Sequence, residues 1–172
     1  MKRSSELSIR HMTVAGLLGG IAIMLSMTPL GYIPIPWLAG VNATTMHIPV
    51  IIGSILSGPV IGTIVGGIFG ISSFLRANNP FFANPVVAIL PRLLIGVATY
   101  YTYKWTKSTI AASIVGTLTN TIGVLSLILA FGYLPLSVVL GIAGANGTAE
   151  VIVSTLIVTA VVKTLKKSNS LK

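Results

Sequence analysis

Asn42–Phe74 reads NATTMHIPVIIGSILSGPVIGTIVGGIFGISSF, thirty-three residues without an acid, a lysine or an arginine. Ser57-Gly58-Pro59 divides it into two apolar spans joined by a tight turn. The first span carries a lone His47, and small residues recur four apart at Ser54, Gly58, Gly62, Gly66 and Gly70. On a helix, Gly62, Gly66 and Gly70 share one face and let a neighbouring backbone come close, which is how helices associate in lipid. A span that is apolar all round cannot mark its inward face by hydrophobicity. Small residues and rare polar ones must mark it.

The whole chain has the same character. Of its 172 residues 53% are hydrophobic and 8% are charged, against roughly 25% charged in soluble domains. Mean hydropathy is +0.96. So little polar surface cannot cover a water-soluble fold of this size, and the chain is read as an integral membrane protein. With no cysteine, neither a disulfide framework nor a thiolate metal site is available.

The net charge of +9 is a statement about topology, not about nucleic acid. Lys2, Arg3 and Arg10 lie at the start, Lys104 and Lys107 between two spans, and Lys163, Lys166, Lys167 and Lys172 at the end. Basic residues beside spans mark the cytoplasmic side. The apolar run after Lys2-Arg3 is followed by more spans and lacks a clear cleavage pattern, so it is read as a span and not as a signal peptide.

A helix of about 20 residues crosses a bilayer. On that ruler the chain is one all-α membrane domain, 1–172, with six transmembrane helices at roughly 11–29, 42–57, 59–76, 84–104, 108–131 and 142–163. Strands would have to close into a barrel, and no segment alternates at period two. Six spans put both termini on one side, together with nine of the eleven basic residues. Both termini are therefore expected in the cytoplasm, with the chain passing the membrane several times.

The loops on the other side are 30–41, 77–83 and 132–141, and only Arg76 borders them. Gly31–Gly40, which holds Pro34, Pro36 and Trp37, is apolar and aromatic, and Asn78–Pro85 is similar. Two readings remain open. Both loops are interfacial anchors, or they cap a cavity open to the outside, with Trp37 a candidate substrate contact.

Ionisable residues inside spans mark function by default, and the candidates are His47, Arg92 and Glu150. Asn120 and Asn146 join them, so that five polar side chains occupy the outer half of the bilayer. Arg92 and Glu150 form an ion pair with each other, or face an outward-opening pocket, or both. Pro91 frees a carbonyl one turn earlier, so the helix is expected to bend at the point where Arg92 faces in, and the planar guanidinium suits a carboxylate. His47 reads most simply as a neutral core histidine bonded to a backbone carbonyl, and Asn120 equally as a helix–helix bond. With Glu6 and Glu150 the only acids, no catalytic constellation can be built, and no phosphate loop is present. No enzymatic activity, cofactor or metal is expected.

The first span carries two small-residue strips near its basic end, Ala15 with Gly19 and Gly16 with Gly20. Either could seat another helix, inside the bundle or from a partner.

Taken together, Asn42–Pro59 running on to Gly70–Phe74, Pro91–Gly96, Thr117–Thr121 and Gly144–Glu150 resemble the S components of the energy-coupling factor (ECF) vitamin importers, and the similarity covers nearly the whole chain. The resemblance implies a six-helix substrate-binding subunit that relies on a transmembrane T component and two ABC-type ATPases. It implies a vitamin pocket near the outside, covered by the loop after the first helix, and delivery by toppling in the membrane. The family's Ala-x-x-x-Ala motif falls on Ala15 and Gly19. Riboflavin-type relatives carry Asn-x-x-Lys on the sixth helix, whereas here Asn146 is followed by Ala149 and Glu150. The pattern resembles the pantothenate-type branch, with Arg92 clamping the carboxylate and Asn120, Asn146 and Glu150 meeting hydroxyls and amide. Another vitamin such as riboflavin, or an assembly subunit without a ligand, is the alternative.

Overall fold

Gly58 turns the chain with φ of 95°, a value that favours glycine. Pro59 then opens the next helix with its φ already set. This corner is the tightest in the computed structural model, which describes residues 9–34, 42–76 and 80–169. Among these are six α-helices: α1 Ile9–Met27, α2 Ile48–Ser57, α3 Pro59–Arg76, α4 Pro85–Thr106, α5 Thr109–Ala130 and α6 Leu136–Asn169. α3, α4, α5 and α6 are long and apolar enough to cross a membrane, while α1 and α2 contribute shorter apolar stretches.

Local chemistry sets the other boundaries. Asn84 caps α4 by accepting the Val86 N–H, with Pro85 at the first helical position, and Ser108 caps α5 by accepting the Ala111 N–H. Between α4 and α5 only Lys107 and Ser108 intervene, and Lys107 turns the chain at φ 55°. α6 runs 34 residues, ~51 Å at 1.5 Å per residue, well beyond the ~30 Å hydrocarbon core. Its last turns carry Lys163, Lys166 and Lys167, and Lys166 reaches the hydroxyl and ring of Tyr103 on α4. Exposed Tyr101 and Trp105 stack at this lysine-rich end, as interfacial aromatics do.

The expected second span is corrected. Instead of one helix over 42–57, Asn42–Thr44 forms a strand (β2) paired antiparallel with Tyr32–Pro34 (β1), Tyr32 opposite Thr44 and Pro34 opposite Asn42. α2 begins only at Ile48. Pro49 lies in its first turn, where its missing N–H costs nothing, whereas a helix continued from upstream would need that N–H and clash with its ring. The Thr44 N–H is instead taken by Glu150. α2 is therefore ~15 Å long. It is buried from Ile48 to Ile55, so neighbouring helices and not lipid surround most of it.

The glycine face of α3 seats α4. A methyl group built on Gly96 would lie 2.5 Å from the Gly62 carbonyl carbon, and one on Gly70 would lie 3.0 Å from Cα of Ile89. Around this seam Val65, Phe69 and Ile95 join Val50 and Ile51 of α2 and Ala22 of α1 in one core, which continues to Val158 and Val162 of α6. A second cluster, Val87, Val124, Leu125, Ile128 and Val139, closes the hairpin end. Leu17, Ile71, Leu94, Ile122, Ile152 and Leu156 point outward, the apolar belt that lipid requires.

Candidate functional site

Pro91 sits inside α4 and cannot donate to Val87, four residues earlier. The next residue fills that gap: Arg92 Nη1 donates to the Val87 carbonyl at 2.6 Å. The side chain is thereby folded against its own helix, and its guanidinium carbon lies 4.9 Å from the Phe82 ring centroid and 5.3 Å from that of Phe69. Such cation–π placement holds a charge without neutralising it. Arg92 is only 4% exposed, yet it lines a cavity of about 50 Å³ with Ser26, Thr44, Met46, Ser73 and Arg76.

Glu150 lies on the far side of Thr44. Its Oε1 accepts the Thr44 N–H and the Thr44 hydroxyl, each at 2.8 Å, and its Oε2 accepts the Thr121 hydroxyl at 2.8 Å. Glu150 thus ties the β1–β2 hairpin to α5 and α6. A carboxylate offers about four acceptor sites, so capacity remains beyond these three bonds.

Thr121 is the top of a polar seam. Ser113, Thr117 and Thr121 recur every four residues on α5, and Asn146, Glu150 and Ser154 do so on α6, so each set shares a face. The two faces meet through Thr121 to Glu150 and Thr117 to Ser154 at 2.7 Å. His47 joins from the start of α2, its Nε2 3.1 Å from the Thr117 hydroxyl. The expected backbone-carbonyl partner is thus replaced by a side-chain hydroxyl. Among the described residues, His47 Nδ1 and Asn120 Oδ1 are buried without a hydrogen-bond partner, and an orphaned buried donor or acceptor costs about 1–3 kcal/mol.

The structure therefore brings Arg92, Glu150 and His47 to the hairpin end, with Asn120 next to Thr121 and Asn146 one turn from Glu150. Trp37 lies outside the described residues. Of the two strips on α1, Ala15 and Gly19 face inward: Ala15 belongs to the core, and Gly19 packs against Ile68 of α3. Gly16 and Gly20 are exposed, with open space where a side chain would project. The strips differ by one residue, about 100° of helix, and periodicity alone cannot rank them. Thr44, Thr121, Phe69 and Phe82 were not singled out from the sequence. The four-residue recurrence of hydroxyls on α5 was the available signal for Thr121; the aromatic partners of Arg92 had none.

The family model "ECF transporter, substrate-specific component" matches residues 10–162. The chain is an ECF S component. As such it is a membrane-embedded transporter subunit and not an enzyme. Over 164 residues the S component is 34% identical to the "Pantothenic acid transporter PanT" of Lactococcus lactis subsp. cremoris, covering 78% of this chain and 83% of that protein. Over 137 residues it is 27% identical to the "Pantothenate transporter PanT" of Leuconostoc mesenteroides subsp. mesenteroides, covering 69% and 67%. A solved S component of a bacterial ECF transporter superposes with TM-score 0.69 at 24% identity, over 95% of this chain and 98% of that one. This last likeness carries the fold alone.

Proposed function

We propose that this S component captures pantothenate from outside the cell in the Arg92 cavity and delivers it inward with a T component and two ABC-type ATPases. The observation that carries the reading is the buried Arg92 guanidinium, anchored on Val87, flanked by two aromatic rings and turned to a cavity. A fixed planar donor in a low-dielectric site selects a carboxylate. Glu150 and Asn120 do not line that cavity; once it widens, the remaining acceptor capacity of Glu150 and the Asn120 carbonyl are the proposed partners for the amide N–H and hydroxyls of pantothenate. The names of the relatives agree with an anionic vitamin.

The hairpin end is read as extracellular and the lysine-rich end, with both termini, as cytoplasmic. At about 50 Å³ the cavity is small beside the ~300 Å³ or more usual for ligand sites, so capture requires it to widen. For docking of the T component, the exposed Gly16/Gly20 strip is the better surface, because Ala15 is already in the core and Gly19 packs against Ile68 of α3. Purified protein titrated with radiolabelled pantothenate and riboflavin tests the reading. Pantothenate binding abolished by Arg92→Ala is the expected result; preference for riboflavin, or binding that survives the substitution, overturns it.

A further inference from the structure

Arg76 is the one basic residue that neither the lysine-rich end nor the buried site explains. Nine of the eleven basic residues cluster near the termini and the 104–107 loop, and Arg92 is buried. Arg76 stands exposed at the last residue of α3, at the hairpin end, where the positive-inside tendency disfavours it. A cation at a helix C-terminus complements the dipole, but that accounts for its helix position and not for what it faces.

It faces two cavities at once. One is the cavity of Arg92, which Arg76 lines together with Ser26 and Ser73. The other is a wider groove of about 290 Å³ between the ends of α1 and α3, lined by Met27, Ser72, Leu75 and Arg76. The partition between them is narrow. Ser26 lines the inner cavity, Ser72 lines the outer groove, and their hydroxyls bond at 2.7 Å. Ser26 belongs to α1, a peripheral helix that packs chiefly on α2 and α3. Leu30 and Gly31 tie its hairpin end to Thr45, so a swing there would carry the β1–β2 hairpin with it, and the α3–α4 glycine seam lies between other helices.

We propose that the solute reaches Arg92 sideways, through a portal between the ends of α1 and α3, with Arg76 drawing the anion in and the Ser26–Ser72 bond acting as the latch. The proposal rests on the reading of the Arg92 cavity as the solute site. A charge on the rim acts on association and its salt dependence, whereas a charge in the bound site acts on dissociation. Arg76 and Arg92 therefore divide the work: the first raises the rate of capture, and the second holds what is captured.

The chain has no native cysteine, so the latch can be locked by Ser26→Cys with Ser72→Cys. The expected result is that oxidation slows both uptake and release of radiolabelled pantothenate by roughly tenfold or more, because opening becomes limiting, and that a reductant restores both. Loading at the same rate before and after oxidation overturns the portal. For Arg76→Gln, association should fall by ~10-fold at low salt and converge with wild type at high salt, while dissociation changes far less than in Arg92→Ala. An unchanged association rate removes Arg76 from the route.

A second measurement needs no vitamin. Ser73→Cys places a thiol in the inner cavity, to be labelled by methanethiosulfonates bearing a sulfonate or a neutral group. Adding Arg76→Gln should slow the sulfonate reagent and spare the neutral one; equal effects on both overturn the proposal. If pantothenate fails to bind at all, the functional reading falls, and this labelling still decides whether anions pass Arg76.

Discussion

Arg92 donates to the carbonyl of Val87 at 2.6 Å, the carbonyl that Pro91 leaves without a helical partner. A defect in the helix thus becomes the anchor of the charge. Pro91→Ala would restore the N–H that competes for Val87. The helix should hold or gain stability, since proline costs about 3 kcal/mol in a helix interior. Pantothenate affinity should fall by about 1.5–3 kcal/mol, the worth of a charge-assisted bond. Melting temperature and Kd measured on the same sample check the pair of effects, and a parallel loss of both would refute the anchor.

Replacing Arg92 by lysine keeps the charge and removes the planar fork. The bond to Val87 and the stacking between Phe69 and Phe82 cannot both be kept by an ammonium. Affinity should drop by roughly 2 kcal/mol while the protein stays folded. Isothermal titration of R92K with pantothenate measures this; wild-type affinity would show that charge alone suffices.

Glu150 holds the hairpin through Thr44. In Glu150→Gln the side-chain carbonyl still accepts from Thr44, and Thr121 can donate to the Thr117 carbonyl, its partner already at 3.2 Å. That variant should lose only about 1 kcal/mol, whereas Glu150→Leu strands the Thr44 N–H and should cost about 1–3 kcal/mol for that group alone. Amide exchange at Thr44 should quicken strongly in E150L and little in E150Q.

The α3–α4 seam tolerates no side chain. Gly96→Ala puts a carbon against the Gly62 backbone, which cannot move as a side-chain tip can, and overpacking of this kind costs typically 1–3 kcal/mol. Gly16→Ala meets open space and should melt like wild type or slightly higher. Thermal unfolding of the two detergent-solubilised variants distinguishes them.

The two strips on α1 separate in function. Gly20→Leu should leave pantothenate binding intact and stop uptake in cells that supply the partner subunits. Gly19→Leu should destabilise the protein itself, through Ile68. Uptake unaffected by G20L would move the docking surface elsewhere.

Membrane residence, the helical class and the inward placement of Arg92 and Glu150 were legible in the sequence. Lipid admits few charges and no unpaired backbone, so composition and the rarity of ionisable residues carry that information directly. The glycines of α3 were legible for the same reason, and the seam with α4 lies where their spacing put it. Pro91 even announced the free carbonyl, though not that Arg92 would take it.

Distance along the chain decided the rest. Thr44 and Glu150 are 106 residues apart, and nothing local pairs them. The pairing of Tyr32–Pro34 with Asn42–Thr44 likewise overrode an apolar stretch that reads as helix. Whether Ala15/Gly19 or Gly16/Gly20 turns inward depends on which neighbour fills the groove, and here Ile68 filled it. Local sequence sets what each segment can bury; only packing chooses which segments bury it together.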